Sequence, residues 1–206
     1  MNEKKSAPFI VIEGIDGAGT TTQTSLLCRR LSDEGRSIWQ TSEPTSGPIG
    51  ALLRRVLAGA VTVTPETTAH LFAADRHEHL FGDGGMVSQC RTGTVVVCDR
   101  YKYSSLAYQS VVADPSLVRT LNDVFPAPDI LIYVDLPPDA GEARLATRQS
   151  REIYEQIEFQ KRVYEQYHLE MERAASETTV VSVDGTLAAD TLVAKIFGAL
   201  QDQSIL

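Results

Sequence analysis

Short apolar runs rich in β-branched residues alternate with helix-length segments along this chain. Most of the runs are apolar at nearly every position, which is typical of strands that are buried on both faces. They lie at residues 9–13, 37–41, 94–98, 130–135 and 179–183. Their alternation with helical segments predicts an α/β fold built on a parallel sheet.

Helices are expected between these strands, at residues 21–34, 49–57, 65–80, 103–113, 138–148, 152–174 and 188–200. Pro65 after Thr64 is a typical helix start, and Gly35 is a plausible end of the first helix. The segments 43–50, 82–93 and 149–151 are expected to be loops. Such loops are where open α/β sheets usually build their active sites.

The composition is that of an ordinary globular protein, with 206 residues of which 43% are hydrophobic and 22% charged. This length suits a single domain. No apolar run approaches the ~20 residues that cross a bilayer, and residues 1–8 lack an apolar signal-peptide core. We therefore expect a cytoplasmic protein without a membrane role. The net charge of −8 also argues against nonspecific nucleic-acid binding.

The three cysteines are widely spaced and do not form a metal-ligand pattern. Cys98 ends an apolar run, so we interpret it as a small core residue. Unpaired cysteines of this kind fit a reducing compartment.

A glycine-rich segment directly follows the first predicted strand: Gly14-Ile15-Asp16-Gly17-Ala18-Gly19-Thr20-Thr21-Thr22. Its first and sixth residues are glycine and its eighth is a hydroxyl residue, which is the Walker A spacing. Such a loop points backbone N–H groups at phosphate oxygens, and the next helix adds the positive end of its dipole. The seventh residue, however, is Thr20 where the pattern has lysine. A glycine-rich turn that binds nothing is therefore the alternative interpretation.

Two further segments carry side chains suited to a planar base and an anion. Phe72 and Arg76 are four residues apart, so they share one helical face, although a core phenylalanine beside a surface arginine is the alternative. Asp99 and Arg100 end a central predicted strand and should point into the ligand crevice. The predicted helix after them carries Ser105, Tyr108 and Gln109 on one face.

Together these segments resemble the thymidylate kinase (dTMP kinase) family over nearly the whole chain. The matching motifs are the glycine loop, Glu43-Pro44, and residues 71–76 and 99–109. The resemblance implies a P-loop NTPase-type three-layer α/β/α fold with a five-stranded parallel sheet, in one nucleoside monophosphate kinase-like domain. It also implies transfer of the γ-phosphate of ATP to dTMP, with Mg²⁺ as cofactor, by a cytoplasmic homodimer.

On the ATP side, the resemblance implies that the glycine loop holds the phosphates. The positions that match the family's ATP-binding residues are Gly14, Ile15, Asp16, Gly17, Ala18, Gly19, Thr20, Thr21, Thr22, Arg144 and Asp184. Thr21 and Asp99 match its metal positions. Its catalytic positions match Asp16, Glu43, Asp99, Arg100, Arg148 and Arg151.

On the acceptor side, the resemblance implies that Phe72 stacks on thymine and that Arg76 contacts a thymine carbonyl. The matching acceptor positions are Arg54, Phe72, Arg76, Arg100, Ser104, Ser105, Tyr108 and Gln109. Ser105 and Gln109 would read the base edge, and Tyr108 would lie beside the deoxyribose. The acceptor phosphate would be held by Arg54 and Arg100.

A lid segment is expected around residues 144–155, with Arg144, Arg148 and Arg151 on one side of a helix. A solvated cationic face is the alternative interpretation. Our hypothesis is that Arg148 or Arg151 partly replaces the charge that is missing at Thr20.

Two rival functions remain open. One is a related kinase for another nucleoside or nucleoside monophosphate, because Ser42 and Thr45-Ser46 stand where the family commonly has arginine and glycines. The other is a non-catalytic nucleotide-binding pseudo-kinase, which Thr20 alone favours.

Overall fold

Five parallel strands form one sheet in a computed structural model that describes residues 6–146, 154 and 156–205. The strands are β1 (Phe9–Glu13), β2 (Ile38–Ser42), β3 (Val95–Asp99), β4 (Ile130–Asp135) and β5 (Thr179–Asp184). Their spatial order is β2-β3-β1-β4-β5. Because β1 lies between β3 and β4, the carboxyl ends of these three strands meet at the centre of one sheet edge. The predicted five-stranded parallel sheet is confirmed.

The helices of the described residues are α1 (Thr20–Asp33), α2 (Pro48–Leu57), α3 (Pro65–Phe81), α4 (Met86–Thr92), α5 (Lys102–Tyr108), α6 (Pro115–Asn122), α7 (Pro138–Leu145), α8 (Ile157–Ala174) and α9 (Ala189–Asp202), with a 3₁₀ turn at Gln109–Val111. Helix α1 packs against α9, and α5 packs against α8, so helices cover both faces of the sheet. In the described part, none of the helices has the length and apolarity that a membrane span requires.

The core is centred on the three middle strands. Ile10, Val97 and Ile132 are completely buried, as their near-continuous apolar runs predict. Burying each such side chain contributes roughly 1.5–3 kcal/mol. Cys98 is also completely buried, which confirms its interpretation as a core residue. Burial raises the pKa of the Cys28 thiol to about 12, so this second buried cysteine is an unreactive packing residue as well.

Two helices were not expected from the sequence. Helix α6 was not predicted, although Asp114 caps it by accepting from the backbone N–H of Ser116, and Pro115 starts it. Residues 82–93 were expected to be a loop but contain α4, which buries Met86 and ends at Gly93 in the left-handed conformation. Tertiary packing stabilises this two-turn helix, which is too short to form by propensity alone.

The other elements differ from the sequence prediction only at their boundaries. Helix α2 starts at Pro48, inside the loop predicted at 43–50, and the helix predicted at 103–113 becomes a 3₁₀ turn after Tyr108. Most of the expected lid, including the loop predicted at 149–151, lies outside the described residues.

Candidate active site

A cavity of about 340 Å³ opens at the carboxyl ends of β1 and β3. One end is lined by the glycine loop and the start of α1, and the other end by Phe72, Arg76 and Gln109. Arg100 also lines the cavity, where its guanidinium pairs with Asp16 of the loop. The volume of the cavity lies within the range that small-molecule sites occupy, about 300–1,000 Å³.

The glycine loop takes its shape from backbone conformations that only glycine adopts freely. Gly17 and Gly19 have φ of 84° and 88°. A Cβ at Gly17 would lie 2.7 Å from the carbonyl oxygen of Gly141, so the loop is packed directly against α7. A Cβ at Gly14 would lie 2.9 Å from that of Ala18. The loop then leads into the 14-residue helix α1, whose N-terminus carries a positive partial charge.

Thr20 occupies the position of the usual lysine without extending into the cavity as a lysine would. It is 5% exposed, and its methyl carbon would lie 3.2 Å from a Cβ at Gly14. Arg144 is the described cation that contacts this loop through the backbone: it donates to the carbonyl oxygens of Gly17 at 3.2 Å and Gly185 at 2.9 Å. Arg148 and Arg151 lie outside the described residues, so the hypothesis about them stays a prediction.

Asp184 is the last residue of β5 and precedes the turn that begins at Gly185. It is exposed, and its carboxylate accepts from the backbone N–H and the hydroxyl of Thr186. These two bonds lower the pKa of Asp184. Because Arg144 joins this turn to the glycine loop, the two segments expected on the ATP side do lie together.

The two expected metal ligands meet at the end of β3. The hydroxyl of Thr21 donates to Oδ2 of Asp99 at 2.5 Å. The other oxygen, Oδ1, is buried and has no hydrogen-bond partner among the described residues. A buried carboxylate oxygen is costly to leave unpaired. A hydroxyl and a carboxylate with a spare oxygen are ligands that Mg²⁺ accepts, so these residues fit the ion.

Arg100 has an unusual backbone conformation for a residue with a side chain, with φ of 69°. Its backbone N–H donates to Ile12 at 2.9 Å, and its guanidinium forms an ion pair with Asp16 at 2.5 Å. Nη1 also lies 3.4 Å from the hydroxyl of Ser104. The guanidinium carbon lies 5.3 Å from the ring centre of Tyr108, which lines the same cavity. These contacts hold the guanidinium at a defined place in the cavity.

Glu13 supports the site from beneath Arg100 and Ser104, a role that was not predicted from the sequence. It is completely buried, and its carboxylate accepts from the backbone N–H groups of Tyr101 (2.8 Å) and Ser104 (3.1 Å) and from the hydroxyls of Ser104 (2.6 Å) and Tyr167 (2.9 Å). Burial raises its pKa to about 7, against the effect of these bonds and of Arg100. The available signal was an acidic residue at the end of an apolar strand.

Helix α8 also reaches the site. Gln160 is buried, and its amide donates to Oδ2 of Asp16 at 2.8 Å and to the carbonyl oxygen of Tyr154. Asp16 is therefore held on one oxygen by Arg100 and on the other by Gln160. A glutamine within an amphipathic helix gives no signal of such a contact.

At the far end of the cavity, Phe72 is half-buried and Arg76 is almost completely buried. Arg76 forms an ion pair with Glu43 at 2.8 Å and donates to the hydroxyl of Ser105 at 3.1 Å. Ser105 thus lies behind Arg76, while Gln109 lines the cavity directly. The surface-arginine alternative for Arg76 is wrong.

Glu43 was expected among the catalytic positions. Its carboxylate accepts from Arg76 on one oxygen, and Nδ1 of His79 lies 3.2 Å from the other. Nε2 of His79 in turn lies 2.6 Å from the hydroxyl of Thr41. Arg54 is exposed, lines the cavity, and donates to the carbonyl oxygens of Pro44 (2.6 Å) and Thr45.

A glycine loop between the first strand and the first helix of a parallel sheet, with a base-sized cavity opposite, defines a P-loop nucleotide-binding protein. The family model described as "Thymidylate kinase" matches residues 12–196. The chain therefore belongs to the thymidylate kinase family.

Relatives that are provisionally named thymidylate kinases support this assignment. A protein of Treponema pallidum is 41% identical over 77% of this chain and 76% of its own length. A protein of Aeropyrum pernix is 40% identical over 86% of this chain and 85% of its own length. A protein of Pyrobaculum aerophilum is 39% identical over 82% of this chain and 84% of its own length.

Proposed function

We propose the residues by which this chain carries out the reaction of its family, the transfer of the γ-phosphoryl group of ATP to dTMP to give dTDP and ADP. The observation that carries the proposal is one cavity that is lined by the glycine loop, by Phe72, Arg76 and Gln109, and by Arg100. The family match and the named relatives do not favour either rival function.

For the donor, we infer that the loop N–H groups and the start of α1 bind the phosphates of ATP. Thr21 and Asp99 would hold Mg²⁺, since they are joined at 2.5 Å and Asp99 keeps a buried oxygen without a described partner. When bound in such a site, Mg²⁺ offsets the charge of the phosphate oxygens. Arg144 would close the ATP side through its bonds to Gly17 and Gly185.

For the acceptor phosphate, we infer that Arg100 and Arg54 supply the positive charge. Asp16 and the left-handed turn fix Arg100 before substrate arrives, and donors fixed in advance stabilise a transition state without reorganisation. A monophosphate is already an anionic nucleophile, so no strong general base is needed. Positioning and charge neutralisation are then the main contributions of the protein.

For the base, we infer that Phe72 stacks on thymine while Arg76 and Gln109 face its polar edge. All three line one end of the cavity. Tyr108 and Ser104 line the part next to Arg100, where the deoxyribose would lie.

The absent lysine is the unusual feature of this site. A charge-assisted hydrogen bond contributes about 1.5–3 kcal/mol, which is small beside the ~8–23 kcal/mol of enzymatic barrier lowering. We infer that the loop amides retain most phosphate binding and that an arginine of the lid supplies the remaining charge, with Arg148 and Arg151 as the candidates.

The test is ADP release from ATP, coupled to an optical assay, across a panel of nucleoside monophosphates. Preference for dTMP is the expected result. Preference for another acceptor would favour the related-kinase alternative, and no release with any acceptor would favour the pseudo-kinase.

Assembly and location are further proposals. We infer a homodimer in the cytoplasm, as the family resemblance implies. Sedimentation equilibrium at micromolar concentration tests the dimer, and a mass of 22.5 kDa at every concentration would contradict it.

A further inference from the structure

The guanidinium of Arg76 is surrounded by acceptors from three different elements. Oε2 of Glu43, in the β2–α2 loop, accepts from Nε of Arg76 at 2.8 Å and lies 2.8 Å from Nη2. Ser105 of α5 accepts from Nη2 at 3.1 Å. Asn122, the last residue of α6, accepts from Nη1 at 2.5 Å through Oδ1. The side chain of Arg76 is 1% exposed, so these partners decide where its remaining donors point.

The donors of Arg76 can be assigned one by one. A guanidinium has five N–H groups, one on Nε and two on each terminal nitrogen. Glu43 and Ser105 engage the Nε and Nη2 edge, whereas Asn122 is the acceptor for Nη1 among the described residues. Nη1 therefore has one more hydrogen to donate, and Arg76 lines the base end of the cavity.

Asn122 is itself fixed in one orientation. It is 1% exposed, and Nδ2 donates to the carbonyl oxygen of Val118 at 2.7 Å. Because Arg76 can only donate, the amide oxygen of Asn122 must face it and the amide nitrogen must face Val118. Phe125, which follows α6, has its ring centre 5.5 Å from the guanidinium carbon and supports the same placement.

We propose that Asn122 is a positioning residue for base selectivity, which orients Nη1 of Arg76 so that its remaining N–H meets the O4 carbonyl of thymine. This inference rests on the proposed function of Arg76. Cytosine carries an amino donor where thymine carries O4. A fixed N–H facing that amino group would have no acceptor, which is the kind of mismatch by which binding sites reject an analogue.

The test compares Asn122→Ala with the parent by calorimetric binding of dTMP, dUMP and dCMP, and by the kinetics of phosphoryl transfer. The substitution removes the acceptor on the Nη1 side, so that the planar guanidinium is held only through its Nε and Nη2 edge, by Glu43 and Ser105. We expect affinity for dTMP to fall about 10-fold or more, because one hydrogen bond to a charged group is lost. dUMP has the same O4 carbonyl and should lose affinity equally, whereas dCMP should change by less than about twofold. The KM for ATP should not change.

Two further variants separate positioning from stability. Asn122→Asp keeps an acceptor for Nη1 but opposes the carbonyl oxygen of Val118, so it should lower Tm while keeping selectivity for dTMP over dCMP. Thr120→Ala, on an exposed position of the same helix, should leave selectivity unchanged.

Equal losses for all three acceptors in Asn122→Ala, or an unchanged ratio of dTMP to dCMP affinity, would overturn the inference and leave Asn122 a structural residue. A parent protein that binds dTMP selectively but does not phosphorylate it would overturn the proposed function alone. A parent that does not distinguish dTMP from dCMP would overturn both.

Discussion

At the scale of single residues, Arg100 combines a strained backbone conformation with a side chain that is held in one place. Its φ of 69° costs of order 1–3 kcal/mol for a residue with a side chain, and such strain persists only where neighbours over-determine it. Those neighbours are Ile12 on its backbone and Asp16 on its guanidinium. The strain directs the side chain into the cavity, where a phosphate acceptor would need it.

Arg100→Ala should lower kcat/KM for dTMP by about 10²–10³, because it removes a preorganised positive charge from the acceptor phosphate. Steady-state ADP release measures this effect. Arg162→Ala, an exposed arginine of α8, is the matched control and should retain activity. Equal activity of Arg100→Ala and the parent would remove the phosphate-binding role.

Thr20→Lys should retain phosphoryl transfer, because the position lines the cavity and an ammonium there would add to the phosphate binding that we propose for the loop amides. Thr20→Met, of similar length but uncharged, separates the effect of charge from that of size. We expect the lysine variant to have the lower KM for ATP of the two. A loss of more than about tenfold in kcat with lysine would show that the loop has adapted to the smaller side chain.

At the scale of elements, the site depends on how the glycine loop packs on α7. Gly17 and Gly35 share a left-handed backbone, with φ of 84° and 80°. They differ in surroundings, since a Cβ at Gly17 would meet Gly141 while a Cβ at Gly35 would meet no atom within 4 Å. The pair therefore separates backbone strain from the contact between the two elements.

Gly35→Ala should lower the free energy of unfolding by about 1 kcal/mol, the usual effect of a left-handed conformation on alanine. Gly17→Ala should lower it by more, and should also weaken ATP binding, because the loop must move away from Gly141. Urea unfolding and ATP titration measure the two effects. Equal destabilisation by both substitutions would show that the loop is not held by α7.

At the scale of the whole molecule, Glu13 joins three elements whose residues are far apart in sequence. It is the last residue of β1, caps the start of α5 through Tyr101 and Ser104, and accepts from Tyr167 of α8. The same residue precedes the glycine loop, for which we propose donor binding, and supports the turn that carries Arg100. The glycine loop and the turn of Arg100 are thus connected through one buried carboxylate.

Glu13→Gln should make stability less dependent on pH. The folded-state pKa of Glu13 is raised from 4.5 to about 7 by burial, so between these values the folded protein binds more protons than the unfolded chain. This group therefore makes stability fall as pH rises from about 4.5 to about 7. Relative to the variant, the parent should lose about 2–3 kcal/mol between pH 5 and pH 8. Urea unfolding at both pH values measures the difference, and parallel curves would contradict it.

Periodicity and local signals predicted most of the fold. The strands were located to within one residue. The signal was clearest for β1, β3 and β4, because strands that are buried on both faces are apolar at nearly every position. Helix α4 was missed because it begins and ends at glycines and is held by the burial of Met86. Helix α6 carried an Asp-Pro start signal that was overlooked. Because α6 was not predicted, Asn122 was not identified either, although the inferred base selectivity depends on it.

The sequence by itself determined the succession of the strands and of most helices along the chain, the place of the glycine loop after β1, and the family to which the chain belongs. These follow from the spacing of apolar residues, glycines and motif residues along the chain. Only the tertiary structure decided which distant side chains meet: Gln160 with Asp16, Tyr167 with Glu13, and Asn122 with Arg76. The physical reason is that the neighbours of each residue along the chain indicate only its local structure. Its hydrogen-bond partner is far away in sequence, and only folding brings the donor and the acceptor together.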